Sequence, residues 1–251
     1  MRRMLADLGN SRLKWGWVDS KGMMTKVVSL PASDESAWSE AWDPTASGLP
    51  WSIASVNPPE LERLLRFLGV RGVGSIHLYR SAADVPVAHR LRYPDRTGVD
   101  RALAVWEAIR RNPGKPGIVI SCGTAITIER VGLDSVWEGG AIGLGLDLSA
   151  RSLHQQTAQL PLVKIHEVPE AWGDASDPAI RAGVFWGVVG AIREIAKRQA
   201  EGLGSKPWLI FTGGDAELIC SSIDWLGEVQ VVDHLVLHGL AGITSAGTSA
   251  H

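Results

Sequence analysis

A figure of strand, small-residue turn and strand that occurs twice constrains this chain more than any other feature. Ile118-Val119-Ile120 passes through Ser121-Cys122-Gly123-Thr124-Ala125 into the β-branched alternation Ile126-Thr127-Ile128. Near the start, Asp7-Leu8-Gly9-Asn10-Ser11 likewise separates Met4-Leu5-Ala6 from Leu13-Lys14-Trp15-Gly16-Trp17. Aligned on Gly9 and Gly123, Asp7 faces Ser121 and Asn10 faces Thr124. The glycines allow a close backbone approach to a ligand, and Thr124 sets a hydroxyl beside free amides, so such a turn can hold a phosphate. One such hairpin is most often only a turn. Two of them, far apart in the chain, predict two similar halves gripping one polyphosphate from both sides.

The 251 residues, 45% of them hydrophobic, suffice for one large or two small domains. A formal net charge of −2, from 25 basic and 27 acidic residues, offers no attraction for nucleic acid or an anionic membrane, so a small-molecule ligand is expected. Arg2 and Arg3 are followed by Asp7, Asn10, Arg12 and Lys14 too soon for a signal peptide. No stretch approaches the roughly 18 apolar residues of a membrane helix, and the expected location is cytoplasmic. The two cysteines, Cys122 and Cys220, frame neither a disulfide scaffold nor a metal cluster. The seven histidines lack zinc spacing, and no P-loop or dinucleotide fingerprint is present. Eleven scattered tryptophans read as core and interface fillers.

Along the chain, alternation to Val18, a turn at Asp19-Ser20-Lys21-Gly22 and a strand from Met24 to Leu30 predict a β-meander. Ser33 to Trp42 reads as a helix stopped by Asp43-Pro44, and Trp51 to Val56 as a strand ended by Asn57-Pro58-Pro59. Leu61, Leu64, Leu65 and Leu68 share one helical face. A strand is expected over Ser75 to Tyr79 and a polar loop or linker over Ala83 to Arg92. Tyr93 to Arg101 reads as a loop delivered to a helix from Arg101 to Arg111. The Pro- and Gly-rich 112–117 then suggests halves of 1–113 and 114–251. In the second half a strand through Val136-Trp137-Glu138 is expected to end at Gly139-Gly140, with a flexible connector from Gly140 to Leu146. Helices are expected around Leu148–Gln159, Ala182–Ile195 and Leu235–Ser245, and a strand over Trp208–Thr212. Strands first, then alternating helix and strand, indicate an α/β protein with mixed sheets.

Several polar residues carry two readings. Asp7 can accept hydrogen bonds from its own turn or hold Mg²⁺ through water, because that ion prefers oxygen and keeps part of its hydration shell. Lys14 is a solvated edge residue or a point charge for a phosphate. Asp100, immediately before a helix, is an N-cap or a base that takes a proton from a hydroxyl. Arg101 opposes the helix macrodipole, which an anionic partner explains better than helix stability does. Thr212-Gly213-Gly214-Asp215 lets a nucleotide base or ribose approach flat against the backbone, or is glycine-rich for turn geometry alone.

Seven motifs in order resemble the type III pantothenate kinases over nearly the whole chain. They are Asp7-x-Gly9-Asn10-Ser11-x-x-Lys14-x-Gly16, Gly98-Val99-Asp100-Arg101, Gly123-Thr124-Ala125-x-Thr127, Gly139-Gly140-Ala141-Ile142, Leu160-Pro161, Thr212-Gly213-Gly214 and His238-Gly239-Leu240. The resemblance implies an α/β protein of two duplicated ribonuclease-H-like domains, the actin-like and sugar-kinase-like ATPase fold, with ATP in a central cleft. It also implies phosphorylation of pantothenate at the first step of coenzyme A synthesis, by a homodimer whose active site lies near the subunit interface. The implied ATP site is Asp7, Leu8, Gly9, Asn10, Ser11, Arg12, Leu13 and Lys14, with Thr124 from the second turn. The implied pantothenate site is Tyr93, Gly98, Val99, Asp100, Arg101 and Ser176, with Asp100 as catalytic base and Ser176 in place of a family threonine. Mg²⁺ would sit at Asp7 through water, and a monovalent cation, K⁺ or NH₄⁺, at Ser121, where the family carries an aspartate. Neutral Ser121 and its neighbour Cys122 are departures from the pattern. Two other readings stay open: a non-catalytic nucleotide-binding regulator of the transcription-accessory branch, and a kinase for another small hydroxy acid. Retention of both Asp100 and Arg101 favours the enzyme.

Overall fold

A computed structural model describes residues 2–204, 206–222, 224 and 227–246. The chain forms two compact units, one built from the residues up to Val87, Leu91–Arg110 and the chain from His234 on, the other from Ala88–Arg90 and Arg111–Asp233. In the first unit β1 (Arg3–Leu8), β2 (Arg12–Val18) and β3 (Met24–Pro31) form an antiparallel meander. Strands β4 (Trp51–Ser55) and β5 (Ile76–Tyr79) continue in parallel beyond β1, giving the order β3-β2-β1-β4-β5. The second unit repeats this plan. Its β6 (Gly117–Cys122), β7 (Ala125–Val131) and β8 (Trp137–Leu144) form the meander, and β9 (Trp208–Thr212) and β10 (Glu228–Val231) add in parallel, in the order β10-β9-β6-β7-β8. Each repeated turn of the sequence thus joins the central strand of a five-stranded sheet to the second strand of its meander.

Helix α1 (Glu35–Glu40) starts on Asp34, whose carboxylate accepts from the Ser36 and Ala37 amides. Helix α2 (Pro58–Val70) crosses from β4 to β5 and buries Leu61, Leu64, Phe67 and Leu68. Its Phe67 joins an aromatic core with Trp15, Trp38, Trp42 and Trp51, in which each ring centroid lies 5.5 to 6.4 Å from at least one other. Each such pair adds roughly 0.5–1.5 kcal/mol beyond the area it buries, so four of the scattered tryptophans serve the core of this half. Helix α3 (Val99–Arg111) belongs to the same unit. So does α7 (Leu235–Ala246), in which Gly239 lies against the backbone of Leu103 and Gly242 against the Trp106 ring. The His238-Gly239-Leu240 motif therefore has a packing reason, since a side chain at either glycine would collide with α3.

In the second unit α4 (Leu146–Gln156) and α6 (Ala216–Cys220) flank the sheet, and α5 (Ser176–Ala200) lays Ile180, Val184, Phe185, Val189 and Ile192 on it. Helix α5 outruns its apolar middle at both ends, where Asp177 pairs with Arg181 and Glu194 with Arg198 at 2.7 Å; such i,i+4 pairs extend a helix without needing buried surface.

Two expectations are corrected. Helix α3 begins at Val99, so Asp100 lies in its first turn and is not the residue before the helix. Gly139 and Gly140 do not end a strand or open a flexible connector, because β8 continues to Leu144 and pairs with β7 throughout, Glu129 opposite Gly140 and Ile126 opposite Gly143. Gly140 is required there, since a Cβ would collide with the Ile128 carbonyl and the Glu129 carboxylate. The loop over Ala83 to Arg92 is tied down at two buried valines, Val85 and Val87, and bridges Trp137 through amides 2.8 and 2.9 Å from their acceptors. Among the described residues no helix is long and apolar enough to cross a membrane.

Candidate active site

In the first unit the chain leaves β1 at Leu8, turns through Gly9-Asn10-Ser11 and returns as β2, closed by the Gly9 amide donating to the Arg12 carbonyl at 3.0 Å. Leu8 and Leu13 are wholly buried in the core beneath this turn, so they offer a ligand only their backbone. Asn10, Ser11 and Arg12 are exposed. Asn57 pins the turn from outside by donating to the Gly9 carbonyl at 3.3 Å while accepting from the Glu60 amide at 3.4 Å as the N-cap of α2. Sequence reasoning took Asn57 only as the end of a strand. The signal was Asn-Pro-Pro-Glu, an N-cap with proline at the first helical position.

Asp7 and Lys14 stand directly opposite each other on β1 and β2. Burial pushes the Asp7 carboxyl up to about 6, Lys14 pulls it down, and the charge of Asp100 pushes it up again. Asp100 therefore lies within electrostatic reach of the Asp7 turn. Its Oδ1 accepts from the Arg101 amide at 2.8 Å, and a Cβ on Gly98 would meet the same oxygen. Gly98 thus leaves space for the Asp100 carboxylate, while Val99 is fully buried and anchors the start of α3. Asp100 and Arg101 are both partly exposed. Tyr93, 49% exposed, leads a single 3₁₀ turn over Pro94–Arg96 that Thr97 caps.

In the second unit the corresponding turn is Gly123-Thr124, closed by the Gly123 amide on the Ala125 carbonyl at 3.2 Å. Two glycine-dependent approaches surround it. Gly145, at the N-terminus of α4, donates to the Thr124 carbonyl at 3.0 Å, and a Cβ there would collide with the Gly123 carbonyl. Gly213, at φ 104°, lies against the Cys122 backbone, and the Asp215 amide donates to the Cys122 carbonyl at 3.2 Å. The Thr212-Gly213-Gly214-Asp215 stretch is thereby a neighbour of the Thr124 turn. Burial is the main cause that raises the Asp215 carboxyl, helped by Asp147 and opposed by His166. Burial likewise pushes the Cys122 thiol up, which leaves it an inert core group.

Ser121 pairs across the sheet with Thr127 on β7 and Thr212 on β9. Glu129, fully buried, accepts from the Trp137 indole at 2.9 Å. Ser176, exposed, is the first residue of α5, in the second unit, whereas Tyr93, Asp100 and Arg101 are in the first. It lines an open apolar groove of about 810 Å³ with Ile126, Leu144, Leu153, Val188 and Ile192. Among the described residues no three His, Cys, Asp or Glu side chains gather as a ligand set for a metal ion.

Two like units, each turning on glycine at the end of its central strand, define the actin-like and sugar-kinase-like ATPase fold. A protein from Campylobacter jejuni described as a Baf family transcriptional activator shares the fold with a TM-score of 0.65 at 20% identity, covering 98% of this chain and 99% of that one. A Sinorhizobium meliloti protein described as a 2-dehydro-3-deoxygalactonokinase does so at 0.56 and 15%, covering 99% and 100%. Within that class the chain belongs to the type III pantothenate kinase family, whose model matches residues 3–198. The type III pantothenate kinase of Synechococcus elongatus is 35% identical to it over 254 aligned residues, covering 98% of each chain.

Proposed function

We propose that this protein transfers the γ-phosphoryl group of ATP to the primary hydroxyl of pantothenate, forming 4′-phosphopantothenate at the first step of coenzyme A synthesis, in the cytoplasm. The observation that carries the reading is the electrostatic coupling of Asp100, at the head of α3, to the Asp7–Lys14 turn, in a chain of this family. A proton acceptor then lies within electrostatic reach of the turn that would hold the phosphates.

The amides around Gly9 and the Lys14 ammonium would hold the ATP phosphates, with Thr124 contributing from its own turn. Asp7 fits a magnesium ion held through water, because a single desolvated carboxylate beside phosphates is the arrangement that ion uses. When bound, Mg²⁺ would neutralise charge on the phosphates. Asp100 takes the proton of the acceptor hydroxyl as its oxygen forms the new bond to the γ-phosphorus, and the bond to the bridging oxygen of ADP breaks. Arg101 would pair with the pantothenate carboxylate, with Tyr93, the Gly98–Val99 backbone and Ser176 completing the acceptor site.

We infer that the enzyme works as a homodimer. The apolar groove along α5 and β8, beside Ile142 and Leu144 at 65% and 53% exposure, supports a second copy as its cover. Ala179, Gly183, Gly187 and Ala191, spaced by four on α5 and exposed, leave room for a close helix approach.

Incubation with ATP, Mg²⁺ and pantothenate should yield phosphopantothenate and ADP in equal amounts by mass spectrometry. ATP binding without product would instead favour the nucleotide-binding regulator, and product only with another hydroxy acid would change the acceptor. Light scattering at micromolar concentration should give twice the chain mass, and a monomer would remove the dimer.

A further inference from the structure

Arg92 and Arg96 bracket Tyr93 in sequence, and each holds its guanidinium over the Tyr93 ring, 5.1 and 5.5 Å from the centroid. Both are exposed. Arg90, two residues earlier, is neutralised by Asp134 at 2.6 Å and Glu138 at 3.3 Å. Arg92 has no such pair among the described residues, and the one carboxylate near Arg96 is Asp95, at 3.9 Å between side chains 78% and 70% exposed. A contact that long and that wet neutralises little.

The loop that carries them is held in place. The Arg96 amide donates to the Tyr93 carbonyl at 3.2 Å, the Thr97 hydroxyl to the same oxygen at 2.9 Å, and the Ala82 amide to the Thr97 carbonyl at 2.9 Å. Two like charges are therefore kept beside one aromatic ring, in a protein of net charge −2. Ring contact accounts for where each guanidinium rests. It does not relieve their mutual repulsion, which an anion drawn to the loop would.

We propose that Arg92 and Arg96 capture the carboxylate-bearing acceptor at the Tyr93 loop by charge, upstream of the fork contact assigned to Arg101, and so set the preference for an anionic acceptor. This rests on the kinase reading above. A unit charge about 8 Å from a carboxylate in water raises its local concentration about twofold, so the pair contributes about fivefold at low salt. The effect fades once the Debye length, about 10 Å at 0.1 M and about 3 Å at 1 M, falls below that separation.

The test is kcat/KM for pantothenate in the unaltered protein, R92Q/R96Q and R92K/R96K. Ionic strength is raised from about 0.02 to 0.5 M with tetramethylammonium chloride at fixed K⁺. R92Q/R96Q should lose about fivefold at low salt and converge on the unaltered protein at high salt, with kcat and the ATP KM unchanged. R92K/R96K should keep both the low-salt value and its salt slope. An equal loss at every ionic strength, or one that lysine does not rescue, would make the arginines packing groups for Tyr93 and overturn the proposal. A shift in the ATP KM alone would assign them to the nucleotide. Absence of turnover in the unaltered protein would remove the kinase reading and this proposal with it. Normal turnover with an unchanged kcat/KM in R92Q/R96Q would remove this proposal only.

Discussion

Asp7→Asn should make the ligand-free protein more stable while removing its turnover. The carboxyl sits at about 6 in the folded protein against an ordinary 3.8, mainly because burial strips it of water. At about 1.4 kcal/mol for each pH unit, the difference amounts to at most about 3 kcal/mol, because Asp7 keeps part of its surface exposed and solvent screens part of the penalty. The sign follows from which state holds the proton. Below about pH 4 the group is neutral folded and unfolded, and it costs nothing. Between about 4 and 6 the unfolded chain gives up its proton first, so stability falls as pH rises, and above 6 the whole penalty is present. Asparagine has no charge to desolvate. Chemical unfolding should therefore place D7N up to about 3 kcal/mol above the unaltered protein at pH 8 and level with it below pH 4. Mg²⁺ with ATP should raise the melting temperature of the unaltered protein and do so much less for D7N, and phosphopantothenate formation should fall to background in the variant. A gain equal at both pH values, or no gain at pH 8, would show that Asp7 is not a strained charge. The coupling of the phosphate turn to Asp100 would then lose its basis.

Asp100→Asn should lower kcat by about 10²–10⁴-fold with ATP binding nearly intact, because the amide still accepts from the Arg101 amide but cannot take a proton; near-normal kcat in a coupled ADP assay would remove the base. Arg101→Ala should raise the pantothenate KM by roughly 10- to 100-fold, the loss of a charge-assisted contact worth about 1.5–3 kcal/mol, and leave the ATP KM alone. A rise in the ATP KM instead would put Arg101 on the nucleotide side. Activation by K⁺ should be weak or absent, since Ser121 and the buried, unpartnered Thr127 hydroxyl are neutral oxygens and the Glu129 carboxylate is engaged by Trp137. Ser121→Asp should create or strengthen K⁺ dependence and lose rate without K⁺. Initial rates with K⁺ replaced by a bulky organic cation at constant ionic strength decide this, and strong K⁺ activation of the unaltered protein would show that another residue supplies the cation site.

The duplicated fold was legible in the sequence because its signature is local. A strand, a glycine turn and a returning strand occupy about a dozen adjacent residues, and their period-2 alternation survives wherever the hairpin is placed. The order of the seven motifs carried the family for the same reason, each motif being a short run. Helix α6 and strand β10, of 5 and 4 residues, were not legible, because so few residues hold no period. Only the tertiary structure decided the features that depend on distant neighbours. Gly139 and Gly140 read as a strand end until β7 supplied the pairing that carries β8 through them. Asn57 gained its role from the Gly9 carbonyl, 48 residues away. Helix α7 joined the first unit because Gly239 and Gly242 fit α3. The charge state of Asp7 answers to burial, to Lys14 across the hairpin and to Asp100 from another element, whereas Arg92 and Arg96 are set apart from Arg90 by which carboxylates the fold brings near. A window of sequence contains the propensity of its own residues; desolvation, pairing and charge come from residues that only the folded chain brings beside them.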